Sequence, residues 1–173
     1  MRVLFILFFS FSQFLYAEEE VLSDSEFIEG LYVGGAFVTW NYEESGETYN
    51  PISFEAIADY RLFNPLDISI RLGMGFGEDE SESNSSAVEM GFYKLLYLKP
   101  YVSLQELRLY GLVGYANYDI ESNSNASVSG VSYGIGADYN LFDVANAFIE
   151  WRRFPEADNF DLASISMGLI LPY

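Results

Sequence analysis

Acidic and basic side chains occur at alternating positions within several apolar stretches of the sequence. These residues are Glu55, Asp59, Arg61, Arg71, Glu89, Asp138, Glu150 and Arg152. Carboxylates as close as Glu55 and Asp59 can perform general acid and base chemistry, because neighbouring like charges push their pKa values apart. The sequence contains no histidine and no cysteine, which removes the commonest general base and any thiolate ligand. With three arginines available, the pattern favours structural ion pairs. A narrow ion path, formed when such pairs exchange partners, is the alternative.

The elements that carry these charges alternate like β-strands. Residues 67 to 77 read "DISIRLGMGFG", which puts an apolar side chain at every second position and small or charged side chains between them. Residues 53–63, 130–141 and 160–173 alternate in the same way. The face opposite each apolar stripe is too polar or too small to form a hydrophobic core. The apolar stripes are therefore expected to face outward, toward lipid. The faces of 30–43, 87–98 and 107–120 cannot be assigned from this pattern.

Eight extended segments account for most of the chain. They span residues 30–43, 53–63, 67–77, 87–98, 107–120, 130–141, 145–154 and 160–173. The connections after the odd-numbered segments, such as "EDESESNSSA", are polar or acidic, whereas those after the even-numbered segments, such as "NPLD" and "KPYVSLQE", are mostly shorter and more apolar. Two unlike sets of connections place the two ends of a sheet in different surroundings. The fold predicted is all-β, an eight-stranded antiparallel up-and-down transmembrane β-barrel.

Composition and the first residues limit the function further. Half of the residues are hydrophobic and 18% are aromatic, which favours strands. The 8 basic and 26 acidic residues argue against nucleic acid as a partner. "MRVLFILFFSFSQFLYAEEE" has Arg2, an apolar run too short to span a bilayer and Ala17 before three glutamates. Residues 1–17 are therefore predicted to be a secretory signal peptide and residues 18–173 the barrel domain.

Acidic side chains are concentrated in two of the polar connections. They are Glu43, Glu44 and Glu47 in the first and Glu78, Asp79, Glu80 and Glu82 in the second. Carboxylates at this density are possible ligands for calcium or magnesium, but there is no EF-hand spacing. A solvated acidic loop that needs no ion is the favoured explanation. No cofactor or metal site is predicted.

The chain resembles the outer-membrane β-barrel family, the small eight-stranded barrels similar to the OmpA transmembrane domain and OmpX. The resemblance lies in "GLYVGGAF", "YGLVGYANY", "YGIGADYNL", "AFIEWRRF" and the closing "ISMGLILPY". In that family the last strand carries apolar residues at alternate positions and ends in an aromatic residue, which the outer-membrane assembly machinery reads. Those places are filled here by Ile165, Met167, Leu169, Leu171 and Tyr173. Tyr173 stands where Phe is commoner, and Pro172 removes a backbone donor.

The resemblance implies a small, monomeric protein of the Gram-negative outer membrane, in contact with outer-membrane lipid and lipopolysaccharide. Its side chains would fill the lumen, because eight strands enclose little more space than that. We expect a non-enzymatic role in envelope structure or surface interaction. The alternatives are a narrow pore for ions or small solutes, a soluble lipocalin-like lipid carrier with its apolar face inward, and a lipid-modifying enzyme. The missing histidine weighs against the enzyme.

Overall fold

The computed structural model describes residues 30–44, 47–77, 79–80, 87–121, 126–141, 144–155 and 160–172. The predicted signal peptide, residues 1–17, lies outside them and stays a prediction. None of the described residues forms a helix that is long and apolar enough to cross a membrane.

The described residues form ten strands in one closed antiparallel barrel. The strands are β1 (Leu31–Glu44), β2 (Glu47–Tyr49), β3 (Ile52–Phe63), β4 (Leu66–Gly77), β5 (Asp79–Glu80), β6 (Ala87–Leu104), β7 (Leu107–Glu121), β8 (Ala126–Leu141), β9 (Ala145–Arg153) and β10 (Phe160–Pro172). Each long strand pairs with the next long strand along the chain, and β10 pairs with β1 to close the sheet. β2 and β5 are short and pair only with β1 and β6. The eight long strands confirm the predicted eight-stranded up-and-down barrel.

The two ends of the barrel differ as expected. At one end, called the turn end, β3 and β4 are joined through residues 64–65 and β6 and β7 through residues 105–106, and Leu141 of β8 pairs with Ala145 of β9. At the other, called the loop end, β1, β4, β7 and β9 finish. One predicted boundary is wrong: "KPYVSLQE" is not a turn, because β6 continues to Leu104 and turns at Gln105 and Glu106. The pairing of β6 with β7 is interrupted at Pro100. It resumes beyond the proline in the same register, because Tyr101 pairs with Tyr110 as Leu98 pairs with Val113.

The apolar stripes lie on the outside of the barrel. Ile70, Leu72 and Met74 are about half exposed, at 51%, 49% and 63%, whereas Arg71 between them is 1% exposed and points into the lumen. Tyr133 and Ile135 on β8 and Ile165 and the alternate residues after it on β10 are exposed in the same way. This arrangement confirms a barrel built for a lipid surrounding and excludes the soluble lipid carrier, which needs its apolar face inside.

The structure assigns the inward and outward faces of β6, one of the strands that the sequence alternation left unassigned. On β6 a register shift between Met90 and Tyr93 moves the inward side from even-numbered to odd-numbered residues. Met90 therefore faces the lumen on one side of the shift, and Tyr93 and Tyr97 face it on the other, all fully buried. A bulge of this kind reverses the apparent alternation.

Candidate functional site in the barrel interior

The loop half of the lumen contains four buried aromatic side chains, here called the aromatic plug: Trp40, Tyr93, Tyr118 and Phe154. The ring centroids of Trp40 lie 5.1 Å from Tyr93 and 4.8 Å from Phe154, and those of Tyr118 and Phe154 are 5.8 Å apart. β1 and β6 are not neighbours in the barrel, so the contact of Trp40 with Tyr93 crosses the lumen. Each ring is at most 2% exposed.

Hydrogen bonds and a glycine hold the plug in position. Trp40 Nε1 donates to Ser53 Oγ at 2.8 Å, and Ser53 Oγ shares a 2.9 Å hydrogen bond with the Tyr93 hydroxyl. A Cβ atom on Gly73 would lie 2.1 Å from Tyr93 Cζ, so only glycine leaves room for that ring. Tyr118 donates its hydroxyl hydrogen to the carbonyl oxygen of Pro155. The polar edges of the rings are therefore satisfied although they are buried.

Below the plug lies a row of four charged side chains with alternating sign. Arg152 Nη1 donates to Glu55 Oε2 at 2.8 Å, and Arg71 Nη1 donates to Glu55 Oε1 at 3.1 Å. Arg71 also binds Glu150 with both terminal nitrogens, at 2.5 and 2.8 Å. Tyr110 donates a further hydrogen bond to Glu150. All four charged side chains are at most 2% exposed, so their charges depend on one another for stabilisation.

A second group of charges lies nearer the turn end. Lys99 Nζ is 2.9 Å from Asp59 Oδ2 and 4.0 Å from Asp138 Oδ2. Arg108 joins Asp138 to Asp67, with nitrogen-to-oxygen distances of 2.9 and 2.8 Å. Ser69 donates to Asp59 and accepts from Arg71 Nε, which connects the two groups. Together with Arg61, they form one network, here called the ionic network.

The ionic network contains five carboxylates and five cations. They are Glu55, Asp59, Asp67, Asp138 and Glu150 with Arg61, Arg71, Lys99, Arg108 and Arg152. Each carboxylate lies within salt-bridge distance of at least one cation. A neutral, mutually paired interior is an arrangement that fills space and excludes mobile ions. Within the described residues, Arg152 Nε, Arg152 Nη2 and Ser164 Oγ lack a hydrogen-bond partner.

Six of the eight charged residues singled out from the sequence lie in this interior: Glu55, Asp59, Arg71, Asp138, Glu150 and Arg152. Arg61 lies at the mouth of the turn end, where its side chain is 39% exposed and its Nε is 3.5 Å from Asp67. Glu89 departs from the prediction: it is half-buried, forms no ion pair among the described residues, and its neighbours Val88 and Met90 take the interior positions. The register shift after Met90 is the physical reason.

Sequence reasoning missed three members of the ionic network: Asp67, Lys99 and Arg108. Asp67 and Arg108 are the second residues of β4 and β7. Lys99 lies inside β6, one residue beyond the predicted end of its segment, and it shares its parity with the buried Tyr93 and Tyr97.

The lumen has a cavity at the turn end. A polar cavity of about 310 Å³ lies there, lined among others by Tyr32, Arg61, Arg108 and Asp138. It ends at the ionic network, since Arg108 and Asp138 belong to both. The cavity is here called the vestibule.

The remaining predicted residues lie on the surface or outside the described part. Ile165, Met167, Leu169 and Leu171 are exposed on the outer face of β10, and Tyr173 lies outside the described residues. Of the acidic tract, Glu78 and Glu82 also lie outside them. No group of three or more acidic side chains that could share a metal ion occurs in the described ranges.

The sequence matches the model of one known protein family. The model of the "Outer membrane protein beta-barrel domain" family matches residues 3–170. No curated protein sequence matches the chain.

Several solved structures have the same fold. Ail, the attachment invasion locus protein of Yersinia pestis, is 17% identical, with a TM-score of 0.63 over 83% of this chain and 98% of that one. Neisserial surface protein A is 13% identical, with a TM-score of 0.66 over 84% and 98%. The outer membrane protein OprG from Pseudomonas aeruginosa is 10% identical, with a TM-score of 0.56 over 82% and 95%. At these identities the likeness shows the fold alone.

Proposed function

Because the chain belongs to the outer-membrane β-barrel family and resides in the outer membrane, we propose that it is a non-conducting, non-enzymatic barrel that acts through its extracellular surface. One observation carries this proposal: the aromatic plug crosses the lumen above an ionic network in which every carboxylate is within salt-bridge distance of a cation. The turn end is then periplasmic and the loop end extracellular.

Two successive barriers support the absence of conductance. An ion that enters from the periplasm reaches the vestibule and then meets charges that already satisfy one another, so it must separate a buried pair to advance. Past that layer, the buried rings of Trp40 and Phe154, with centroids 4.8 Å apart, offer an ion no oxygen ligand. A pore, the alternative function, requires both layers to rearrange.

The absence of an enzymatic role is supported by the accessibility of the candidate groups. The serines nearest to carboxylates, Ser69 and Ser166, are fully buried in the ionic network, where no lipid substrate reaches them. The sequence has no histidine to activate a serine.

A surface role is supported by the strands that continue beyond the apolar band. On β7 and β8 the exposed apolar series ends at Tyr115 and Val131. The hairpin continues upward with Asn117 and Ser129 on its outside and with Tyr118 packed inside. Such an extension presents a rigid polar surface above the membrane.

The charge of that surface separates this chain from one relative. Ail was crystallised with the heparin analogue sucrose octasulfate, a polyanion. Near the loop end of this barrel Glu43 is exposed and Asp161 is half-exposed, and the net charge of the chain is −18. We therefore propose neutral or cationic surface partners.

Three further parts of the proposal concern assembly and surroundings. The protein is a monomer in contact with outer-membrane lipid and lipopolysaccharide. The assembly machinery recognises its last strand, whose alternate residues Ile165, Met167, Leu169 and Leu171 are exposed for contact with another surface.

Conductance in a planar bilayer tests the central claim. The refolded mature protein, whose folding is verified by a heat-dependent shift on a gel, is expected to give no stable current steps under conditions in which a known porin conducts. Stable steps from the folded protein would reject the closed barrel and favour the pore. Binding to immobilised sucrose octasulfate tests the charge argument, and we expect none.

A further inference from the structure

One arginine at the turn end has hydrogen-bond donors that no described residue uses. Arg61 follows Asp59 on the inward face of β3 and lines the vestibule. Its single ion pair, between Nε and Asp67 Oδ1, is 3.5 Å long, and Nε has no hydrogen-bond partner. Its two terminal nitrogens form no hydrogen bond within the described ranges. Arg61 therefore contributes a charge to the ionic network but keeps its donors free for another acceptor.

Two tyrosine rings hold the guanidinium of Arg61. Its Cζ lies 5.4 Å from the ring centroid of Tyr32 and 5.7 Å from that of Tyr101, which is the distance of a cation–π contact. Tyr101 is 7% exposed, so its ring belongs to the packed interior. A guanidinium restrained in this way loses little further freedom when it binds a ligand. This part of the vestibule is therefore preorganised.

The second cation that lines the vestibule is already paired. Arg108 donates to Asp138 through Nε and to Asp67 through Nη1, at 2.9 and 2.8 Å, and its side chain is 10% exposed. Arg108 and Asp138 together add no net charge to the cavity. An anion in the vestibule is therefore expected to bind at Arg61.

The surroundings favour an anion with a single charge and a planar shape. Glu106 is exposed on a turn that lines the vestibule, and Asp138 lines it too, so a dianion such as phosphate meets like charges there. A carboxylate carries one charge, and its two oxygens match the fork of donors on a guanidinium. Asn146 and Gln105 add uncharged donors to the lining. A volume of about 310 Å³ suits a small molecule or the end of a peptide.

We propose that the vestibule binds a carboxylate group of a periplasmic molecule, with Arg61 as the binding residue and Tyr32 and Tyr101 as positioning residues. The carboxylate belongs to a small acid or to the C-terminus of a peptide, since both present the same group. Entry from the periplasm rests on the orientation in the proposed function. The site itself does not depend on whether the barrel conducts.

Titration of the folded, ¹⁵N-labelled mature protein in detergent micelles tests the site by nuclear magnetic resonance. The reporters are the Nε–H of Arg61 and the side-chain amide of Asn146, and the probes are acetate, N-acetylalanylalanine, inorganic phosphate and the uncharged control acetamide. We expect both carboxylates to shift the reporters saturably and acetamide to leave them unchanged. Arg61→Gln, followed through Asn146, should weaken carboxylate binding about ten-fold or more, because it removes hydrogen bonds from a charged donor.

Three further variants separate a built site from simple charge attraction. Arg61→Lys keeps the charge but loses the fork, so it should bind acetate more weakly than the wild type. Tyr32→Leu keeps the arginine and removes one ring, which should weaken binding about two- to five-fold. Arg153→Gln makes the same charge change at Arg153, which is paired with Asp161, and it should match the wild type. The heat-dependent gel shift verifies that each variant is folded.

The probes also separate the sources of the carboxylate. Tighter binding of N-acetylalanylalanine than of acetate supports the site and assigns a peptide terminus, whereas equal binding supports the site and assigns a small acid. Unchanged affinity in the folded Arg61→Gln variant would overturn the site. Phosphate that binds as tightly as acetate would overturn the assignment of a carboxylate. Bilayer conductance reports separately on the proposed function.

Discussion

The charge balance of the ionic network can be tested by removing one charge of each sign. Glu150→Gln keeps the size of the side chain but removes the negative charge opposite Arg71. Arg152→Met removes a positive charge two residues away, on the same face of β9. Each single variant leaves the four-residue row with one uncompensated buried charge. The double variant leaves Glu55 and Arg71, which are 3.1 Å apart, as a neutral pair.

The contacts set the expected size of each effect. Arg71 donates to the two Glu150 oxygens at 2.5 and 2.8 Å. In Glu150→Gln an amide nitrogen replaces one of these oxygens, so one contact brings two N–H donors together. The other oxygen can still accept from Tyr110. Removing one partner of a buried pair costs about 3–5 kcal/mol, and the retained contact places this variant near the lower value. Arg152→Met removes the hydrogen-bond donor that lies 2.8 Å from Glu55, and it should lower the free energy of unfolding by a similar amount. The double variant should be less destabilised than the sum, by about 1–3 kcal/mol.

Reversible unfolding in urea, measured by tryptophan fluorescence of the protein in phospholipid vesicles, gives the four free energies that the cycle needs. Strict additivity would show that the two charges do not sense each other and that the row is not electrostatically coupled. A Glu150→Gln variant as stable as the wild type would refute the stronger statement that the buried carboxylate needs to be ionised.

Two further substitutions test the packing on either side of the barrel wall. Gly73→Ala should displace Tyr93, whose ring carbon would lie 2.1 Å from the new methyl group, and lower the free energy of unfolding by about 1–3 kcal/mol. Gly111→Ala is the matched control: its nearest atom, in Pro100, lies at 3.9 Å, so its stability should stay near that of the wild type. Leu72→Arg on the outer face should cost about 2–4 kcal/mol in vesicles and Leu72→Ala less; equal costs would mean that lipid does not contact this face.

The parts of the fold that could be read from the sequence are those in which the two faces of a strand differ chemically. On β4, Arg71 and its small neighbours separate Ile70 from Leu72, so the outward face is unambiguous. On β6 the same reasoning fails, because Tyr93 and Tyr97 face the lumen while Phe92 and Leu96 face outward. Alternation identifies a face only where the interior is polar, and here the loop half of the interior is aromatic.

The site was only partly predictable for a related reason. Lys99 stands beside Pro100, and proline normally marks the end of a strand. The barrel tolerates it because the register resumes unchanged at Tyr101. Partners such as Arg71 and Glu150 are 79 residues apart in sequence, so their contact follows from closure of the barrel and from no local pattern.

The distribution of charge supports the proposal that this barrel acts through its surface and not through its lumen. The ionic network is neutral, with five charges of each sign, so the net charge of −18 belongs to the rest of the chain. Four of the basic residues are buried in the interior, where they compensate carboxylates, so they contribute no positive charge to the outer surface. A polyanion near this barrel is therefore repelled by most of the charge on its surface.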